Sequence, residues 1–187
     1  MWKSVAVFCG SRTGKNKLFA KHAEEIGLIL AQKNIQLIYG GGANGLMGVV
    51  ADTVLKNNGK VIGVIPSLLN EKEPQHDKLT TLHVVEDMHT RKKMMYELSD
   101  AAIILPGGYG TLDELFEMIT WNQLNIHNKK IVLMNSDGYY DSLIAHLEKM
   151  QSENFLYNDW KESLVIMTDP QALISLIDED KHQNRRE

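Results

Sequence analysis

Short unbroken apolar runs alternate along this chain with longer stretches whose apolar positions recur at helical spacing. The runs are SVAVFCG, IQLIYGGG, KVIGVIP, TTLHVVED, AAIILPGG, KKIVLMNS and SLVIMTD. Each has the length and β-branched content of a strand buried on both faces. Between them, KLFAKHAEEIGLILAQKN, NGLMGVVADTVLKNNG, MHTRKKMMYELSD, the stretch from Thr111 to His127, the stretch from Tyr139 to Phe155, and PQALISLIDED predict helices. Ser67 to Lys78 is polar, contains Pro74 and predicts a loop. The tail KHQNRRE, residues 181–187, is expected to fray. Strand and helix in strict alternation imply βαβ units and a mainly parallel sheet covered on both faces. The expectation is one doubly wound, Rossmann-like α/β domain over residues 1–180, with its ligand beyond the carboxyl ends of the strands.

Composition narrows the function classes. With 187 residues the chain can bury a sizeable core. Its net charge of −4 gives no overall bias toward nucleic acid, so any phosphate site must be local. The single cysteine, Cys9, rules out an intrachain disulfide and fits a reducing compartment. The start, MWKSVAVFCG, is too soon interrupted for a signal peptide. No apolar run approaches the roughly 20 residues of a membrane span. The expected location is the cytoplasm.

Three of the predicted strands end in glycine-containing turns that enter helices: CGSRTGKN, YGGGANGLMG and PGGYGTLDE. Glycine lets backbone N–H groups approach an anion, and a helix N-terminus adds a favourable dipole. Three such turns at one sheet edge point to a phosphate or nucleotide. The named motifs fit less well. A P-loop fails, because Asn16 follows Lys15 and the spacing from Gly10 to Gly14 is one residue short. Gly40-x-Gly42-x-x-Gly45 matches the dinucleotide pattern but follows the second strand, and the next strand ends in VIPS without an acidic ribose partner. Neither H-E-x-x-H nor C-x-x-C occurs, so no metal is expected. His83 and His146 read as packing or surface residues, Cys9 as a small buried residue, and the methionines mostly as core filler.

Two groups of charged residues can be read in two ways. Arg91 shares a helical face with Met88, Met94, Met95 and Leu98. It is either an arginine whose head snorkels out of the core or one held at the strand edge to bind an anion. Lys92 is either a solvated charge or a second anion contact. Thr111-x-x-Glu114 reads as a capping box, with Thr111 at the N-cap. Asp113, Glu114 and Glu117 then crowd the first turns of a helix, where acidic side chains stabilise the dipole. Glu114 is open to a second reading as a catalytic base.

GSRTG, YGGGANGLMG, DMHTRKKMM and PGGYGTLDE, in this order and spacing, resemble the LOG (Lonely Guy) family. Its members are cytokinin riboside 5′-monophosphate phosphoribohydrolases, long mislabelled as lysine decarboxylases. The resemblance runs from the first strand through His127. It implies that Arg91 and Glu114 are the catalytic pair and that Lys92 completes the R-K motif. It implies further that the loop from Gly108 to Thr111, with Asp113, holds the nucleotide phosphate. Glu73 and Thr120 match substrate-contacting positions, Glu73 in a variable loop. Ser11 and Arg12, together with Gly41, Gly42, Gly107 and Tyr109 of the glycine turns, complete the expected substrate contacts. Asp113 stands where many members have glutamate.

The implied reaction is hydrolysis of the N-glycosidic bond of a purine nucleoside 5′-monophosphate to free base and ribose 5-phosphate. It requires no cofactor. The resemblance also implies a homodimer with the site near the subunit interface; neither nucleic acid nor membrane is an expected partner. A non-catalytic nucleotide sensor on the same fold would keep the glycine turns but need neither Arg91 nor Glu114. Nothing in the sequence suggests the lysine of a pyridoxal-phosphate decarboxylase. Glu114 is expected to point toward Arg91 rather than back to the Thr111 N–H.

Overall fold

The computed structural model describes residues 1–70 and 76–183. Seven strands form one all-parallel sheet: β1 (Ser4–Phe8), β2 (Gln36–Tyr39), β3 (Val61–Pro66), β4 (Thr81–Val85), β5 (Ala101–Ile104), β6 (Ile131–Met134) and β7 (Leu164–Met167). Their order is β4-β3-β2-β1-β5-β6-β7. The helices are α1 (Lys17–Gln32), α2 (Gly45–Lys56), α3 (Ser67–Asn70), α4 (Met88–Glu97), α5 (Tyr109–Gln123), α6 (Asp141–Ser152) and α7 (Ala172–Gln183).

Strand alternation divides the core into two layers. Val5, Val7, Leu37, Tyr39, Ile103 and Val132 face one layer, with Ile26 and Leu30 of α1, Val50 of α2 and Ile177 of α7. Ala6, Phe8, Ile38, Ile104 and Leu133 face the other, with Met95 and Tyr96 of α4, Leu115 and Met118 of α5, and Leu147 of α6. Both faces are covered, which explains why the strands read as continuous apolar runs. The chain winds one way from β1 to β4 and the other way from β5 to β7. The switch point is therefore between β1 and β5, where their exits diverge and leave a crevice. Gly10 N–H donates to the Pro106 carbonyl at 3.0 Å and ties the two exits together.

The structure departs from the sequence expectations at four places. Ser67–Asn70 forms a single helical turn within the expected loop. Helix α6 begins at Asp141 rather than Tyr139, because Asp137 and Gly138 take positive φ in the short 3₁₀ turn before it. Helix α7 continues through Gln183, into the segment expected to fray. Helix α5 begins at Tyr109, with Gly108 as its N-cap, so Thr111 is not the cap and the capping box does not form. Its start is set by the turn before it. Tyr139 Oη donates to the Gly107 carbonyl at 2.6 Å, and Gly108 leaves the turn extended. Asp113 and Glu114 consequently lie beyond the first turn, where the dipole no longer explains them.

Candidate functional site

At the switch point a cavity of about 330 Å³ opens, large enough for a small ligand. Its walls come from the end of β1 (Phe8, Cys9, Gly10, Ser11), from Gly40 after β2, from Arg91 of α4, and from Gly108–Thr111 and Glu114 of α5. Six of the residues expected at the site, Ser11, Arg91, Gly108, Tyr109, Gly110 and Thr111, thus meet Glu114 in one space. At the mouth Tyr109 is 95% exposed.

Arg91 does not snorkel out, and among the described residues it pairs with no carboxylate. It is 8% exposed, and its Nε donates to the Val64 carbonyl at 3.1 Å and its Nη2 to the Gly40 carbonyl at 3.2 Å. The guanidinium is thus gripped by the exits of β2 and β3. The expected apolar stripe around it is incomplete, because Met88 is 42% exposed; its sulfur accepts from Arg91 Nη1 at 3.8 Å. The buried residues of α4 are Arg91, Lys92, Met95 and Tyr96.

Glu114 is 9% exposed, and among the described residues its carboxylate has neither a hydrogen-bond partner nor an ion pair. It does not fold back onto the Thr111 N–H, nor is it bonded to Arg91. Burial pushes its pKa up from 4.5 to about 7; Arg91 and Lys92 pull it down, while Asp113 and Glu117 push it up. A carboxyl group poised near neutrality is matched to proton transfer at physiological pH.

The N-terminal turn of α5 supplies the other half of the site. The N–H groups of the first helical residues, Tyr109, Gly110 and Thr111, have no acceptor one turn earlier in the helix. Their residues line the cavity, and Gly108 brings no capping side chain. A Cβ on Gly108 or Gly110 would meet nothing within 4 Å. These glycines therefore border open space at an anion-binding helix start.

The remaining expected residues lie elsewhere. Lys92 is buried and pairs with Asp113 and Glu117, each at 3.0 Å, so it ties α4 to α5 and does not line the cavity. Burial lowers its pKa, but the bonds to these two carboxylates outweigh that and hold it above the usual lysine value. Glu117 also accepts from Tyr96 Oη at 2.8 Å. Arg12 and Gly107 line an adjoining cavity of about 290 Å³, walled by Phe19, Leu46 and Tyr139. Gly41 and Gly42 are buried, and Gly41, at φ +82°, packs against Ile65 and Leu82. Thr120 is two turns further along α5, in a groove with Phe116, Leu147 and Trp160, and its hydroxyl donates to the Phe116 carbonyl at 2.7 Å. Glu73 lies outside the described residues.

Several contributors escaped sequence reasoning. The Val64 and Gly40 carbonyls that hold Arg91 leave no side-chain signature. Tyr139, which fixes the Gly107 turn, comes from beyond the neighbouring strand β6, 32 residues along the chain. Cys9 is buried as expected, and its thiol lines the cavity; burial, then the nearby Glu114, raises its pKa and keeps it protonated. Among the described residues no group of three His, Cys, Asp or Glu could hold a metal, and no lysine lines the cavity. Nor is any described helix long and apolar enough to cross a membrane.

Fold and cavity together define a doubly wound α/β protein with an anion-binding helix start beside a buried arginine and a near-neutral carboxyl group. A family model described as "possible lysine decarboxylase" matches residues 47–177. The chain is 43% identical to the cytokinin riboside 5′-monophosphate phosphoribohydrolase of Rhodococcoides fascians, over 94% of this chain and 89% of that one. It is 43% identical to a probable enzyme of the same name from Oryza sativa subsp. japonica, over 99% and 76% respectively. The Arabidopsis thaliana enzyme LOG3 is 42% identical over 95% and 83%. The chain belongs to this LOG family. Solved structures with the same fold include the molybdenum cofactor binding protein of Rippkaea orientalis (TM-score 0.73, 24% identity, 96% of this chain and 97% of that one). Another is the molybdenum cofactor carrier protein of Chlamydomonas reinhardtii (TM-score 0.71, 16% identity, 96% and 98%).

Proposed function

We propose that this protein is a phosphoribohydrolase that cleaves the N-glycosidic bond of purine nucleoside 5′-monophosphates. Free base and ribose 5-phosphate are the products. The observation that carries this reading is Glu114, a buried, unpartnered carboxyl group in the same cavity as the carbonyl-gripped Arg91. The 5′-phosphate binds at the free N–H groups of Tyr109, Gly110 and Thr111, with Ser11 beside them. That places the ribose over Glu114, about one turn further along α5. Ionised Glu114 stabilises the positive charge that develops on the ribose and takes a proton from the attacking water. The water oxygen bonds to C1′, the C1′–N bond breaks toward the base, and the proton held by Glu114 passes on to the departing base. Arg91 faces the ribose hydroxyls as a fixed positive group. Related glycosidic cleavages use a carboxylate against the same kind of transition state. The base is of the adenine type, with or without an N6 substituent, as the relatives' names suggest.

A protein that only sensed nucleotides would have no use for a buried carboxylate beside an anionic ligand. The experiment is incubation of the purified protein with AMP or isopentenyladenosine monophosphate, followed by chromatography for free base. Release that Glu114→Ala abolishes is the expected result. Tight binding without release, unchanged by Glu114→Ala, would favour the sensor instead.

The reading includes a homodimer working in the cytoplasm. Thr120 is remote from the cavity of its own chain, and Phe116, Leu124 and Ile126 of the same region expose apolar surface. A second copy docked there would bring Thr120 toward the partner's site. Light scattering during size-exclusion chromatography tests this, with a monomer at micromolar concentration as the refuting result.

A further inference from the structure

Gly40 lines the cavity at the exit of β2, directly against the Arg91 guanidinium. Its carbonyl accepts from Arg91 Nη2 at 3.2 Å. A Cβ built on it would overlap that same Nη2 atom, well inside van der Waals contact, with Arg91 Cζ at 3.2 Å and Met47 Sδ at 3.3 Å. The opposite side of the guanidinium is held by Nε on the Val64 carbonyl. Gly40 has no positive φ among the glycines that do, so backbone conformation does not require glycine there. The steric requirement comes mainly from Arg91, with a smaller share from Met47.

We infer that Gly40 is a positioning residue, whose missing side chain makes the socket that aims Arg91 into the cavity. The inference rests on the proposed reaction for its meaning but not for its geometry. In this socket Arg91 makes no bond to Glu114, and its charge acts on that carboxyl group through space. Among the described residues the charged groups around Glu114 are Arg91 and Lys92 on α4 and Asp113 and Glu117 on its own helix, and the other titratable groups it acts on are Cys9 of the β1 exit and Tyr96 of α4. Adding a methyl group at position 40 pushes the guanidinium out of the socket. The fold tolerates this, because the obstructed atom is the tip of a flexible side chain and not backbone.

The test compares wild type, Gly40→Ala, Arg91→Ala and the double variant. One readout is the titration of Glu114 by ¹³C-carboxyl NMR, assigned with Glu114→Gln; the other is steady-state hydrolysis of AMP. In the Gly40→Ala protein the Glu114 midpoint is expected to shift upward toward its value in Arg91→Ala. The same substitution should lower kcat at least 30-fold and change KM less than threefold. In the Arg91→Ala background, Gly40→Ala should move neither the midpoint nor kcat. An unmoved Glu114 midpoint in Gly40→Ala, or an equal further loss in the Arg91→Ala background, overturns the inference. If wild type releases no base from AMP, the proposed reaction fails, while the NMR titration still decides the role of Gly40. Gly40→Ser, which adds a similar obstruction, should reproduce Gly40→Ala; wild-type behaviour of Gly40→Ser would also overturn it.

Discussion

Replacing Glu114 with glutamine should make the protein more stable at pH 8 while removing its activity. The carboxyl group titrates at about 7 in the fold against 4.5 for an ordinary glutamate. Between those values the native state holds a proton that the unfolded chain has released. Unfolding free energy must therefore fall as pH rises from 4.5 to 7, by about 1.4 kcal/mol per pH unit, and level off above 7. The whole displacement is worth about 3 kcal/mol. That is a substantial part of the 5–15 kcal/mol typical of a folded domain. Glutamine has nearly the same shape and no ionisation, so Glu114→Gln escapes the penalty. Urea unfolding of both proteins at fixed protein concentration, between pH 4.5 and 8, measures the difference. The curves should meet near pH 4.5, and the variant should lead by about 3 kcal/mol at pH 8. Parallel curves across that range would show that Glu114 ionises freely in the fold, and the argument for a poised carboxyl would collapse.

Hydrolysis of AMP should show the same group. With ionised Glu114 as the proposed base, kcat/KM should climb about tenfold per pH unit below about 7 and then level off; a flat profile from pH 5.5 to 8 would refute that role. Lys92→Met removes both bonds from α4 to Asp113 and Glu117 and should cost about 2 kcal/mol in urea unfolding; a loss under about 0.5 kcal/mol would mean that these pairs hold nothing together. Gly45, at φ +64°, carries the start of α2 against the backbone of Ser11 and Arg12, where a Cβ would overlap. Gly45→Ala should therefore cost more than about 3 kcal/mol or leave the protein insoluble. Gly110→Ala meets only open space and should keep or raise stability, by up to about 1 kcal/mol, while raising KM for AMP about tenfold. An unchanged KM would show that the open space beside Gly110 is not where the nucleotide binds.

The layers and the strand sequence were legible because periodicity reports burial. SVAVFCG and AAIILPGG are apolar at every position, as strands covered on both faces must be. The ends of elements were less legible. Thr111 and Glu114 satisfy the letters of a capping box, but Tyr139 reaches across from beyond β6 to fix Gly107, and the helix starts two residues earlier. No local pattern carries that contact. Lys92 likewise looked like a surface or anion-contacting charge. Its partners, Asp113 and Glu117, stand on the next helix, and only the packing of α4 beside α5 brings them within 3.0 Å.

The glycine turns show where such reasoning overreaches. All three turns read as backbone donors for a phosphate, yet a glycine records only that a Cβ is unwelcome, not what excludes it. Gly40 makes room for Arg91, and Gly45 makes room for the β1 exit; both are spent inside the protein. A Cβ on Gly108 or Gly110 would meet none of the described residues within 4 Å, so packing inside the protein does not call for glycine there. This division bears on the acid–base chemistry. Arg91 donates to the carbonyls of Gly40 and Val64 and makes no bond to Glu114, so its charge acts on Glu114 through space. Had the two formed an ion pair, the carboxyl would have been pulled toward or below its ordinary value and stayed ionised throughout the cycle. Held apart, Glu114 keeps a pKa near neutral pH, as the proposed role of taking a proton from water and returning it to the leaving base requires.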